Sequence, residues 1–351
     1  MQNGSQVIDI DAVDRYLAAN LHGYHGPLTA QKFSDGQSNP TFHLTASSGE
    51  YVLRRKPPGV LLKSAHAVDR EFRVQLALAH SDVPVAKMHL LCEDDSVIGS
   101  AFYVMDHVPG RIFFDPRLPD VEKPQRRLFF NEMNRVLAAI HSVDLDAVGL
   151  TDFGAPGNYI ARQTGRWAKQ YKASETGEIP AMDRLIAQLQ ERIEGGAGDG
   201  ARTLVHGDYR IDNMIFSAGE PRVLALLDWE LSTIGHPYAD LASVIMQWRM
   251  PPGPDGRGLD GVDRAELGLP TDEEFIASYC DRMEIPGIED FGFYLAFCFF
   301  RMGAVLQGVK KRALDGNASN PERGLQMGTY VPVFAEKGLD ALPSRARFFT
   351  P

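Results

Sequence analysis

The sequence predicts an α+β chain of two lobes, a small β-rich N-terminal one and a larger helical C-terminal one. Three observations predict it: strand-and-turn patterning confined to the first hundred residues, long helical periodicities after them, and a Val108-Pro109-Gly110 break where the pattern changes. At 351 residues the chain is too long for one small core. With 44% hydrophobic residues it has ample material for a buried interior. The lobes are expected at residues 1–108 and 109–351.

The N-terminal lobe opens with an amphipathic helix over residues 6–25, with Val7, Ile10, Val13, Leu17 and Leu21 near one face. Leu28 to Phe33, Thr41 to Thr45 and Tyr51 to Arg55 alternate as strands. Polar turns, Ser34-Asp35-Gly36-Gln37-Ser38-Asn39 and Ser47-Ser48-Gly49-Glu50, separate them into a three-strand meander. A helix follows over Ala67 to His80, then β segments at Val83-Pro84-Val85, Leu90-Leu91 and Ala101 to Met105. In the second lobe Phe129 to Ser142, Ile160 to Tyr171 and Met182 to Ile193 read as helices. The Gly-rich stretch 195–200 is a connector, and Thr203-Leu204-Val205 and Val223 to Leu227 are short apolar β runs. From Ala239 onward helices dominate, interrupted by a Pro/Gly/Asp-rich loop from Pro251 to Gly268.

A net charge of −10 argues against non-specific binding to nucleic acid or to an anionic membrane. Cys92, Cys280 and Cys298 are odd in number and widely spaced, which reads as a reducing compartment without a disulfide framework. The N-terminus lacks the basic and apolar regions of a secretory signal. The apolar run near Phe291 to Phe300 is short and ends at Arg301, so a buried helix is expected rather than a membrane span. A cytoplasmic location follows as the default.

The chemistry concentrates in two stretches. In the first, an apolar strand delivers His206-Gly207-Asp208, with Asn213 five residues after the Asp. In the second, Asp228 directly follows the apolar run 223–227 and precedes Trp229-Glu230. Phosphoryl transfer needs a carboxylate beside the attacking hydroxyl and oxygen ligands for the Mg²⁺ that binds the phosphates. Asp208 suits the first role, and Asn213 and Asp228 suit the second. His206 reads as a loop-holder. Arg54, at the end of a strand, carries a permanent planar cation suited to phosphate oxygens, with Lys56 as a rival. Glu71, early in the next helix, is its expected partner. The 34–39 turn, through Ser34, Gly36, Ser38 and Asn39, is placed over the phosphates as a source of backbone and hydroxyl donors. No GxxxxGK[ST] run is present, which excludes a P-loop.

On these residues the chain resembles the aminoglycoside phosphotransferase/choline kinase-like superfamily. The resemblance is strongest to the kinase-like domain associated with acyl-CoA dehydrogenases. It rests on the stretches 51–59, 157–163, 165–167, 206–216, 227–237 and 294–301. It implies a bilobal protein kinase-like fold, with ATP (or GTP) as donor and Mg²⁺ as cofactor. It also implies Asp208 as catalytic base, and Asp106 and Val108 as the backbone contacts of adenine. Relatives of this kind phosphorylate hydroxyls of small molecules, and the dehydrogenase-associated subgroup suggests a hydroxyacyl-CoA or related acyl acceptor. Arg54 in place of Lys and Trp229 after the metal-binding Asp depart from many relatives without removing a needed charge.

Arg162, Arg166, Lys169, Arg210 and Arg301, set among aromatics, favour an anionic acceptor if they face it. Arg166, Arg210, Glu230 and Arg301 are carried forward as acceptor-site candidates. His236 and Asp240 are expected to brace the loop after the metal site. Three alternatives stay open: an aminoglycoside or choline-type kinase, a metallohydrolase built on His206, Asp208, Asp228 and His236, and a catalytically silent binding module. A functional link to an acyl-CoA dehydrogenase, and a monomer or homodimer, complete the expectations.

Overall fold

A computed structural model describes residues 8–33, 39–57, 67–253, 257–318 and 320–342. The chain forms two compact units. Unit 1 takes residues 1–112, 148–150 and 212–232; unit 2 takes 113–147, 151–211 and 233–351.

In unit 1, helix α1 (Ile10–Asn20) begins where the Asp9 carboxylate accepts the Ala12 N–H, so it is shorter than the expected 6–25. Strands β1 (Thr29–Lys32), β2 (Thr41–Ala46), β3 (Gly49–Arg55), β4 (Met88–Cys92) and β5 (Phe102–Asp106) form one antiparallel sheet in the order β1-β2-β3-β5-β4. Val83 to Val85 is not a strand; the Pro84 carbonyl instead accepts the Leu226 N–H. The period of two divides the sheet into two faces. Phe42, Leu44, Tyr51 and Leu53 pack with Val13 and Leu17 of α1. On the other face, Val52, Tyr103 and Met105 pack with Val68 of helix α2 (Val68–Ala77).

Strands β7 (Met214–Phe216) and β8 (Val223–Leu226) make a separate antiparallel pair that packs with unit 1, although its residues lie in the sequence after 109. Backbone bonds account for this. Arg111 and Phe216 exchange N–H···O bonds at 2.7 and 2.8 Å. Gly110 permits the approach, because a Cβ there would stand 2.4 Å from the Phe216 carbonyl oxygen.

Unit 2 contains α3 (Lys123–His141), α4 (Tyr159–Ala173), α5 (Pro180–Glu194), α6 (Pro237–Trp248), α7 (Arg264–Leu267), α8 (Asp272–Arg282), α9 (Phe291–Leu314), α10 (Pro321–Gly328) and α11 (Val331–Ala341). A short antiparallel pair, β6 (Thr203–Val205) with β9 (Thr233–Gly235), belongs to it as well. Helix α9 is the centre, packed by α4, α5, α6, α10 and α11. It is long and apolar enough to cross a membrane, yet 72% of its apolar window is buried within the fold, as expected of a core helix. The helix runs past the expected Arg301 to Leu314, and Gly303 within it lies against Met182 of α5 and Phe334 of α11.

Candidate active site

The candidate residues divide between the units. In unit 1, alternation along β3 sends Tyr51 and Leu53 into one core and puts Glu50, Val52 and Arg54 on the opposite face. The Arg54 guanidinium joins three carboxylates. Its Nε stands 2.8 Å from Glu71 Oε2, and its Nη2 stands 2.7 Å from Asp228 Oδ1 and 3.7 Å from Glu230 Oε2. Glu71, on α2, is 1% exposed; it also accepts the Asn39 amide N–H at 2.7 Å and the Tyr103 hydroxyl at 3.0 Å. Burial pushes the Glu71 carboxyl up to about 7, against the pull of Arg54 and Tyr103.

The expected cation–carboxylate pair of Arg54 and Glu71 is therefore present. Lys56 instead stands 3.7 Å from Asp69. The Asn39 side chain donates to Glu71, a buried carboxylate that needs donors. Ser34, Gly36 and Ser38 lie outside the described residues. Asp106 ends β5, its N–H bonded to the Lys87 carbonyl and its carboxylate to His89. Val108 follows, half-buried against the Val52 and Tyr103 core.

Asp228 closes β8 in a left-handed conformation, φ 66°, ψ 56°. Aspartate tolerates this better than most residues, and such backbone is found where a side chain must be aimed. A 3₁₀ turn at Trp229–Leu231 follows, anchored by buried Trp229, whose indole N–H donates to the Leu226 carbonyl at 2.9 Å. The Asn213 carbonyl accepts the Leu227 N–H at 2.8 Å, and Met214 pairs with Leu226, so Asn213 and Asp228 stand at the same end of the β7–β8 pair. One carboxylate and one amide oxygen on adjoining strand ends form a hard-donor set that fits a divalent cation.

In unit 2, β6 delivers His206, and Gly207 turns the chain at φ 87°. The turn is held from below by Asp240 of α6, which is 2% exposed and accepts the His206 and Gly207 N–H groups at 2.6 and 2.9 Å. Burial works to raise the Asp240 carboxyl, but the bond and charge of His141, with His206, hold it below the ordinary carboxylate range. His141 is fixed in turn by the Tyr279 hydroxyl at 2.7 Å. Asp208 emerges from this braced turn partly exposed, with Arg210 Nη2 at 3.3 Å from its Oδ2. Arg301 donates to the Gly207 carbonyl at 3.3 Å and lies over the Phe297 ring. Tyr209 is buried, its hydroxyl bonded to the Met133 carbonyl.

Residues 29–275 match the phosphotransferase enzyme family, APH. The chain belongs to that family. A solved structure from Ralstonia eutropha JMP134, described as a candidate aminoglycoside phosphotransferase, is 46% identical with a TM-score of 0.87, over 96% of this chain and 99% of that one. Mouse acyl-CoA dehydrogenase family member 10 is 48% identical over 339 residues, 96% of this chain and 31% of that protein. Mouse family member 11 is 42% identical over 341 residues, 94% of this chain and 43% of that protein. The chain thus spans less than half the length of these curated relatives. The ternary complex of aminoglycoside phosphotransferase APH(4)-Ia with AMP-PNP and hygromycin B shares the fold at 16% identity, with a TM-score of 0.62 over 94% of this chain and 98% of that one. These matches bear out the resemblance read from the motifs, the kinase-like α+β fold and the enzyme class: a phosphotransferase acting on a hydroxyl group of a small molecule.

The acceptor-site candidates are held by different elements. Arg210 and Arg301 attach to the Asp208 turn, and Glu230 faces Arg54 in unit 1. Arg166 is exposed and lies over its neighbour Trp167. Arg162 is spent on the Pro156 and Gly157 carbonyls, both at 2.6 Å. Asp240 braces the turn ahead of Asp208 rather than the loop after the metal-binding Asp. His236 caps α6 through the Tyr238 N–H and meets the Tyr294 hydroxyl at 3.2 Å. Burial and the charge of His141 draw the His236 pKa down to about 4, so it stays neutral. These ties are what a structural histidine makes, and the phosphotransferase family match stands against the metallohydrolase reading.

Proposed function

We infer that this phosphotransferase moves the γ-phosphoryl group of ATP to a hydroxyl of a hydroxyacyl-CoA or a related anionic metabolite. The observation that carries the reading is the Asp208 turn, a carboxylate on a rigid bracket with two arginines attached to it. Asp208 orients the acceptor hydroxyl and takes its proton as the phosphoryl group leaves the nucleotide. Arg210 and Arg301 give that carboxylate a cationic surrounding, which suits an anionic acceptor and opposes a polycationic aminoglycoside. Arg54, tied to Glu71, is the phosphate-binding cation, and Glu230 supports it from the turn after Asp228. Asp106 and Val108 supply backbone contacts to adenine. Asn213 and Asp228 would hold Mg²⁺, which when bound neutralises the phosphate oxygens.

The identity of 48% and 42% to acyl-CoA dehydrogenase family members 10 and 11 supports a functional link to such a dehydrogenase. The free, buried Cys92, Cys280 and Cys298 accord with a cytoplasmic, reducing location.

The reading is tested by a phosphoryl-transfer screen under Mg²⁺·ATP with hydroxyacyl-CoAs, choline-like alcohols and aminoglycosides, following ADP release and ³¹P resonances of the product. Transfer to a hydroxyacyl-CoA is the expected result. Turnover confined to the cationic alcohols would replace it with the aminoglycoside or choline-type reading.

A further inference from the structure

Among the described residues, His43, Glu50 and His107 of unit 1 place their ligating atoms within 4.8 Å of one another. They come from β2, β3 and the residue after β5. The backbone fixes all three: His43 pairs with Val52, two residues along β3 from Glu50, and the His107 N–H donates to the Glu50 carbonyl at 3.2 Å. Because Phe42 and Leu44 enter the α1 core, His43 stands on the opposite sheet face, the one that carries Glu50 and Arg54. Glu50 Oε2 lies 3.0 Å from His107 Nδ1 and 3.7 Å from His43 Nε2, and the two imidazole centroids are 4.3 Å apart.

Two features distinguish this group from an ordinary surface network. The first is that His43 Nε2 is buried without a hydrogen-bond partner among the described residues, so a nitrogen is out of water with its lone pair or proton unused by them. The second is spacing. Ligands at about 2.0–2.1 Å around a tetrahedral ion are separated by roughly 3.3 Å, and the two distances to Glu50 fall on either side of that value. Two imidazoles and one carboxylate match the ligand preference of zinc and its neighbours in the first transition row, and not that of magnesium. Glu50, 54% exposed, leaves the coordination sphere open to water or an exogenous ligand.

We propose that His43 Nε2, Glu50 Oε2 and His107 Nδ1 form a binding site for a borderline divalent metal, zinc above all, separate from the Asn213 and Asp228 donors. Bound metal would clamp β2 and β3 to the segment that leaves β5.

The test is isothermal titration of metal-free, tag-free protein with ZnCl₂ in a buffer holding millimolar MgCl₂, for the wild type and for His43→Gln, His107→Gln and Glu50→Gln. Expected are one equivalent of zinc bound despite the magnesium, and affinity about 10–100-fold weaker in each variant. Because Glu50→Gln alters an exposed side chain, it reads the site even if a histidine variant folds poorly. Co²⁺ added to the wild type should give visible d–d bands of a low-coordinate site, absent in Glu50→Gln. Zinc binding that is undetectable, displaced by magnesium, or unchanged in all three variants overturns the proposal.

Discussion

Replacing Asp240 by Asn should weaken both the fold and the reaction, because one carboxylate holds two consecutive N–H groups of the turn that carries Asp208. The bonds are 2.6 Å to the His206 N–H and 2.9 Å to the Gly207 N–H, at a side chain 2% exposed. Asparagine offers one acceptor oxygen; its amide nitrogen must then face the second N–H, donor against donor. A hydrogen bond to a charged group contributes about 1.5–3 kcal/mol, and the surviving bond falls to roughly half that strength. The combined loss is about 2–4 kcal/mol. At about 2 °C per kcal/mol for a chain of this size, the apparent Tm falls by about 4–8 °C. Misplacing Asp208 by a fraction of an ångström should cut kcat by about 10–100-fold, with a smaller effect on the KM for ATP. Calorimetry and steady-state kinetics on the same preparation measure both. A variant melting within about 1 °C of wild type and turning over within about twofold would refute the bracket.

Two further perturbations address unit 1. Arg54→Ala strips the buried Glu71 of its cation and should cost about 3–5 kcal/mol in a chemical-denaturation measurement; Arg54→Lys should recover part of the stability but not the full ATP affinity, because the fork that meets both Glu71 and Asp228 is lost. Glu71 titrates near 7 in the folded protein against an ordinary 4.5, so the native state holds its proton more tightly than the unfolded chain. Its contribution is complete below pH 4.5 and is lost as the pH rises through 7. The urea midpoint should therefore drop between pH 5 and pH 8 by more in the wild type than in Glu71→Gln, and equal slopes would contradict the buried, raised carboxyl.

The parts of the molecule readable in advance were those with local causes. Alternation and turn residues disclosed β2 and β3, and 3.6-residue periodicity disclosed α2, α4 and α5, each within a few residues. Pairing between distant residues was not readable. Strands β7 and β9 are three residues long, too short to show a period, and exist because β8 and β6 pair with them. The assignment of 212–232 to unit 1 rests on bonds from Arg111 and Pro84, about a hundred residues away or more. The site shows the same division. The spacing of Asp208 and Asn213 and the strand before Asp228 were visible as motif. Asp240 was read as a brace, but of the loop after the metal-binding Asp; that it holds the turn ahead of Asp208, 33 and 34 residues away, was not readable. The tie of the Asn39 side chain to Glu71 was not readable, because a buried carboxylate on the next helix leaves no local mark.

The central claim is that Asp208 is the base of a magnesium- and ATP-dependent phosphoryl transfer. It is tested most directly by measuring turnover and ATP affinity together in Asp208→Ala. The account predicts that transfer to the best acceptor falls by at least about 10³-fold while the ATP dissociation constant stays within about threefold of wild type. Transfer at near wild-type rate in that variant would contradict it.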